Sequence, residues 1–295
     1  MKKWMCLILA IAAASSVAIA QVPQSAHVVM VVEENHGYSQ IIGNSSMPYF
    51  NSLAQKYGLA VNYYANTHPS IGNYFMLTTG QIITNNDTYS GTVSANNLVR
   101  AALTGGISWK AYAESLPYTG YMGGDAYPYS RHHNPVSYFS EVVNSSSEKY
   151  NVVPFTRFGQ DVANHTLPKF SLVIPNMHHN MHDCPTGMST CSDSQKAAAA
   201  DYWLKTKIAP LLASSDFQKS GLLIITWDEG KQSDTTHGGG RVATVLIGPK
   251  VKRGYKSTKF YQEQSLLKTI LRSLGSSVSA PGAAASAPSM SDFFY

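Results

Sequence analysis

The chain has 295 residues, a formal charge of +5, 44% hydrophobic and 13% charged residues, and three cysteines. So high a hydrophobic share with so few charges excludes a disordered chain, and no collagen-like or heptad period is present. Three cysteines are too few for a disulfide-framework miniprotein, and the length suits one large core or two small domains. Lys and Arg are scattered, so no nucleic-acid partner is expected.

The N-terminus reads as a leader rather than as part of the fold. Lys2 and Lys3 precede an apolar run from Trp4 to Val17, closed by Ala18-Ile19-Ala20. This is the pattern of a secretory signal peptide over residues 1–20, which predicts a secreted or periplasmic protein beginning at Gln21. The alternative is an uncleaved anchor, for which the run is short. No later stretch is long enough to span a bilayer, so no transmembrane anchor is expected after cleavage. Cleavage takes the charge to +3 and removes Cys6, leaving Cys184 and Cys191, which should bridge in an oxidising compartment.

His27 to Val32 is a continuous β-branched and apolar run, as expected of a parallel strand covered on both faces. Met47 to Tyr57 has helical spacing, Leu59 to Tyr63 reads as a strand, and Ile71 to Thr79 as a helix. Ala95 to Leu103 follows as a helix, Ile107 to Tyr112 as a strand, and Leu116 to Pro135 as a long functional loop. Phe170 to Ile174 is a short strand. Ser194 to Leu212 is a helix with Ser192 or Asp193 as N-cap. Leu222 to Thr226 and Val242 to Ile247 are further strands, and Gln262 to Leu274 is a closing helix. The alternation predicts an α/β fold with a mostly parallel central sheet and helices on both faces, as a single domain over 21–275. Residues 276–295 form a Ser/Ala/Pro-rich tail, expected to be mobile over 276–291, with Phe293, Phe294 and Tyr295 able to dock back.

Chemistry gathers after each apolar strand. Glu33, Glu34, Asn35 and His36 follow the first; Thr67, His68, Ser70 and Asn73 follow the second. Asn176, His178, His179, His182 and Asp183 follow the Phe170 strand; Asp228, Glu229 and then His237-Gly-Gly-Gly follow the Leu222 strand. In an open α/β sheet such segments converge at the carboxyl ends of the strands. Carboxylates, imidazoles, a carboxamide and one hydroxyl together suit a divalent cation with a coordinated nucleophile. Oxygen ligands lean towards Mg, Mn or Ca, and the imidazoles keep Zn open. Only one of Glu33 and Glu34 can face the site, since adjacent strand residues point opposite ways. Ser70 could equally be a helix N-cap, and Arg131-His132-His133 an ordinary loop or a phosphate clamp. The tyrosines between 112 and 138 could line a headgroup site or pack the core.

The segments VVMVVEENHGYSQIIG, THPSIGNYFMLTTG, RHHNPVSYF, IPNMHHNMHDC and LLIITWDEG…HGGGRVATVLIGP resemble a bacterial secreted phosphoesterase family. That family holds acid phosphatases, phosphatidylinositol-3-phosphatases and phospholipase C-type enzymes, within the alkaline phosphatase superfamily. The resemblance implies the superfamily's three-layer sandwich and a metal-dependent phosphomonoesterase with a phosphoserine intermediate. Phosphorylated lipids, phosphoinositide or other phospholipid headgroups among them, or small phosphorylated metabolites are the implied substrates. A phospholipase C-type phosphodiesterase, or an inactive binding protein of the same fold, is the alternative. By the same resemblance Ser70 is the nucleophile and Glu34, Asn35, Asp228, Glu229 and His237 are metal ligands alongside it. Asn73, Arg131 and His133 would hold the phosphoryl group and His182 would act as acid. The loop offering Asn176, Asn180 and His182 departs from two-metal relatives, which favours one firm metal, with a weaker second site open at His182 and His237.

Overall fold

The computed structural model describes residues 21–295; the expected signal peptide lies outside the described residues. The strands are β1 His27–Glu33, β2 Gly58–Ala60, β3 Tyr63–Tyr64, β4 Trp109–Ala113, β5 Val152–Pro154, β6 Phe170–Ile174, β7 Gly221–Trp227, β8 Thr244–Ile247, β9 Lys256–Ser257 and β10 Tyr261–Gln262. The helices are α1 Tyr38–Ile41, α2 Pro48–Lys56, α3 Ser70–Thr79, α4 Leu98–Thr104, α5 Ser140–Val143, α6 Thr156–Ala163, α7 Asp193–Trp203, α8 Ala209–Ala213, α9 Ser215–Ser220 and α10 Glu263–Ser273.

Eight strands form one sheet in the order β5-β4-β6-β1-β7-β8-β2-β9, and β10 and β3 pair separately. Within the large sheet only β8 runs against its neighbours, so the sheet is mostly parallel. The cause lies in β1: its apolar run is buried on both faces, and it pairs with β6 on one side and β7 on the other. The longer helices form two groups, α3 with α4 and α10, and α2 with α7. Because β1, β6 and β7 are parallel, the residues after them leave the sheet at one edge.

Three expected elements change. The strand expected over 59–63 divides: β2 joins the large sheet, and β3 crosses to pair with β10. The helix expected over 194–212 is interrupted by a π-turn at Leu204–Ile208, just before Pro210, which has no N–H to donate. Ser192 is its N-cap, with a capping box to Gln195. The third change is at the C-terminus, where the tail is not mobile but packed. Lys268 Nζ donates to the carbonyls of Ala285 and Ala287, and Asp292 accepts from Tyr255, Ser257 and Tyr261. Met290, Phe293 and Phe294 are buried, so the apolar residues spaced through the Ser/Ala/Pro segment secure it. β5 and α6 were not foreseen: a three-residue edge strand and an eight-residue helix carry too little periodic signal.

Candidate active site

Ser70 opens α3, where sequence alone allows an N-cap. The structure gives it another task. Its side chain makes no capping bond; the adjacent Ile71 N–H donates instead to Asp87 Oδ1 at 3.1 Å. Ser70 Oγ donates to Glu34 Oε2 at 3.1 Å and lies 3.5 Å from Glu229 Oε1. Glu34 follows β1 directly, and Asp228 and Glu229 follow β7, which puts all three carboxylates on the same sheet edge. They are exposed by 0%, 0% and 2%, so this acidic cluster is not a solvated strand end. Glu33 is equally buried, but its neighbours are Glu114 and Asp201 rather than the Ser70 cluster, as strand alternation requires.

Each carboxylate is held. Tyr74 OH donates to Glu34 Oε1 at 2.8 Å, one turn along α3 from Ser70. Asp228 Oδ1 accepts from the Asn35 N–H at 3.2 Å, while Oδ2 is buried without a partner. His68 lies between two acceptors, Glu229 Oε2 at 2.8 Å from Nδ1 and the Asp234 carbonyl at 2.9 Å from Nε2. Only an imidazolium can donate to both. The Glu229 hydrogen bond is the leading reason the His68 pKa is raised, against the effect of burial. Burial first, and then the charges of Asp228 and Glu229, push the Glu34 carboxyl well above its usual range, against the Tyr74 and Ser70 bonds. Burial and Glu229 push Asp228 up in the same way. His133 Nε2 is 3.1 Å from Glu34 Oε1 but off the line of a hydrogen bond. Burial, with His132 and His182 behind it, holds the His133 pKa well down, so its imidazole is neutral.

The remaining sequence candidates are placed differently. Asn73 faces the loop before α3: Oδ1 accepts from the Asn66 and Thr67 N–H groups at 3.0 Å each, and Nδ2 donates to Thr67 O at 2.8 Å. Asn35 meets Asp228 through its backbone. Arg131 lies over the Tyr138 ring at 4.1 Å and donates to Ser137 O, turned to its own loop. His237 is exposed, with its ring against Tyr64 and Phe260 at centroid distances of 4.5 and 4.7 Å. His182 bonds Asp183 through Nδ1 at 2.8 Å, and its ring is 6.1 Å from that of His133. His178 and His179 turn to the Cys184 carbonyl and to Glu114, so the three histidines are not one metal tract. The Cys184–Cys191 disulfide is present and closes the loop leading to α7. The 112–138 tyrosines divide: Tyr112, Tyr129 and Tyr138 are buried in the core, Tyr121 is half-buried, and Tyr118 and Tyr127 are exposed. Sequence reasoning placed His68 among the groups after the second strand without giving it a role and missed Tyr74, although both stand within THPSIGNY beside Ser70.

The donor set suits a divalent cation. Ionised, three buried carboxylates beside His68 carry an excess of negative charge that a divalent cation would balance, and Asp228 Oδ2 has no partner. Among the described residues no three His, Cys, Asp or Glu side chains form a ready-made ion cage; the Glu34 and Glu229 oxygens are engaged by Ser70, Tyr74 and His68. No described helix is long and apolar enough to cross a membrane.

The architecture is shared with solved structures. A protein in the alkaline phosphatase superfamily from Vibrio parahaemolyticus aligns with a TM-score of 0.55 at 15% identity, covering 85% of this chain and 67% of that one. The lipoteichoic acid synthase LtaP from Listeria monocytogenes aligns with a TM-score of 0.62 at 13% identity, covering 90% and 74%. The chain therefore has the α/β fold of the alkaline phosphatase superfamily.

At the level of sequence the relation is narrower. The Phosphoesterase family matches residues 44–275, and the chain belongs to that family. It is 32% identical over 280 residues to a phosphatidylinositol-3-phosphatase of Mycobacterium tuberculosis, covering 94% of this chain and 85% of that protein. It is 31% identical over 249 residues to a probable acid phosphatase of Kluyveromyces lactis, covering 80% of this chain and 55% of that protein. The chain thus spans about half the length of the fungal acid phosphatases it matches.

Proposed function

We propose that this protein is a secreted, metal-dependent phosphomonoesterase that uses Ser70 as nucleophile. The observation that carries the reading is the Ser70 hydroxyl within 3.1–3.5 Å of two buried carboxylates, with a third beside them. Glu34, Asp228 and Glu229, with Asn35 and the Ser70 oxygen, would hold one divalent cation, which supplies positive charge to the phosphoryl oxygens and acidifies the hydroxyl. Its identity is open among Mg, Mn, Ca and Zn.

The chain's own groups divide the rest of the work. Ser70 Oγ forms a bond to phosphorus as the ester P–O bond breaks, and its proton passes to the neighbouring carboxylate it already faces. His182, with Nδ1 fixed by Asp183, protonates the departing alcohol. Water then gives a proton to His182 and its oxygen to phosphorus as the Ser70 Oγ–P bond breaks, and the carboxylate returns the proton it took to Ser70. His68 keeps Glu229 in place, and Tyr74 keeps Glu34 in place. Neutral His133 offers its ring to the phosphoryl group without adding charge. Asn73 acts by fixing the loop before Ser70 rather than by touching phosphate. The phosphatidylinositol-3-phosphatase relative, matched over most of its length, supports phosphoinositide headgroups as substrates.

Phosphate release from a panel of monoesters, with phosphocholine release from phosphatidylcholine measured in parallel, tests the reading. Ser70→Ala should stay folded and fall below about one hundredth of the parental rate, the lower edge of what one auxiliary group supplies. A higher residual rate removes Ser70 as nucleophile. Asp228→Asn should lose bound metal, read by elemental analysis; full retention would remove it from the ligand set.

A further inference from the structure

We propose that residues 256–260, with Phe260 at their tip, form a docking surface for an anionic lipid bilayer on the same rim as Ser70. β9 runs parallel to β2, which runs parallel to β1 because β8 opposes both β7 and β2. The chain leaving β9 therefore emerges at the edge that carries Glu34 and Asp228. It emerges as Thr258-Lys259-Phe260, all three exposed, after an exposed Lys256. Phe260 is 44% exposed; its ring is stacked on Tyr64 at 5.7 Å, six residues before Ser70 in the chain, and meets His237 at 4.7 Å.

The strip itself is basic. It carries Lys256 and Lys259 and no acid; Asp234, half-buried in the neighbouring His237 loop, accepts from the Thr236 and Arg241 N–H groups. Glu263 and Asp292 beside it are buried, and no acid occurs between Glu34 and Asp87, the stretch that supplies β2 and β3. The Lys259 ammonium is 3.9 Å from Asp292, but its side chain is 64% exposed, so that contact neutralises little. Lys231, in the loop after Glu229, is exposed as well. Lysine on an edge strand also blocks edge-to-edge pairing, which accounts for Lys256. It does not account for a large aromatic held out into solvent by a stacking partner. Exposed cations beside an exposed aromatic suit the bilayer interface, where lysines meet lipid phosphates and the ring enters the headgroup layer. A soluble polyanion would use the cations and leave Phe260 in water.

The consequence for catalysis, a preference for phosphate esters presented at a surface, rests on the Ser70 reading; the binding does not. Sedimentation of the full protein with phosphatidylcholine vesicles, plain or doped with phosphatidylserine, tests the binding. Doped vesicles should retain the protein in a salt-sensitive way, and plain ones should not. Lys256→Gln/Lys259→Gln should lower partitioning roughly thirtyfold, the product of two such charges at a membrane surface. Phe260→Ser should weaken the binding that survives high salt. Both variants should hydrolyse a soluble aryl phosphate at the parental rate. Ser70→Ala should bind vesicles as the parent does, so turnover and docking fail separately. The proposal is overturned by no retention on doped vesicles, by retention unchanged in the variants, or by capture of heparin or polynucleotide without vesicle binding.

Discussion

Replacing Asn73 with alanine separates two roles for this side chain, phosphate ligand and loop anchor. The amide is fully buried and makes three hydrogen bonds, two from the Asn66 and Thr67 N–H groups and one to the Thr67 carbonyl. At about 1 kcal/mol net for each bond, and more where a buried N–H is stranded, the loss is about 3 kcal/mol. For a chain of this size that corresponds to a fall in Tm of about 6–12 °C. The anchored segment carries His68 and runs into Ser70, so kcat should fall as well. Thermal unfolding and steady-state kinetics on one preparation provide the check. A variant with parental Tm and a raised KM as its single defect would refute the anchor role and return Asn73 to the phosphoryl group.

Other outcomes follow from features outside the acidic cluster. Burial alone would raise the Asp292 pKa, but hydrogen bonds from Ser257, Tyr261 and Tyr255 bring it below the usual value. Its contribution is therefore complete above the unfolded pKa near 4 and is lost as pH falls through the lower folded one. Asp292→Asn should cost about 2 kcal/mol near neutrality, by urea unfolding, with the difference from the parent shrinking in acid. Limited proteolysis of that variant should cut first within 276–291. Cys191→Ser should cost about 2.4 kcal/mol through loss of the short closed loop, read as the difference between parent and variant under oxidising conditions. Gly238 has φ +110°, and a Cβ there would overlap the Asn66 carbonyl. Gly238→Ala should therefore lower the denaturation midpoint and the rate together, because the 66–68 segment must move.

How much was legible follows from which interactions are local. The strands at 27–33, 170–174 and 221–227 are unbroken β-branched or apolar runs, and the parallel sheet with its chemical edge follows from them. That Glu34, Ser70, Asp228 and Glu229 belong together was therefore readable from their positions after strands. Residue types could not tell which groups bearing the right chemistry would turn inward. His237 and His68 both flank glycine- or proline-rich turns, yet one stacks on aromatics and the other bonds Glu229. Arg131 carries the charge expected of a phosphate clamp and spends it on Tyr138.

By itself, then, the sequence determined the sheet, the order of its strands' chemical ends and the identity of the acidic residues, because those depend on patterns a few residues long. The tertiary structure decided the partners: Asn73 as a loop anchor, His68 as the imidazole on Glu229, and a Ser/Ala/Pro tail held by Asp292. Each depends on contacts between segments far apart in the chain, where a hydrogen bond or buried charge is satisfied only once the whole core has closed.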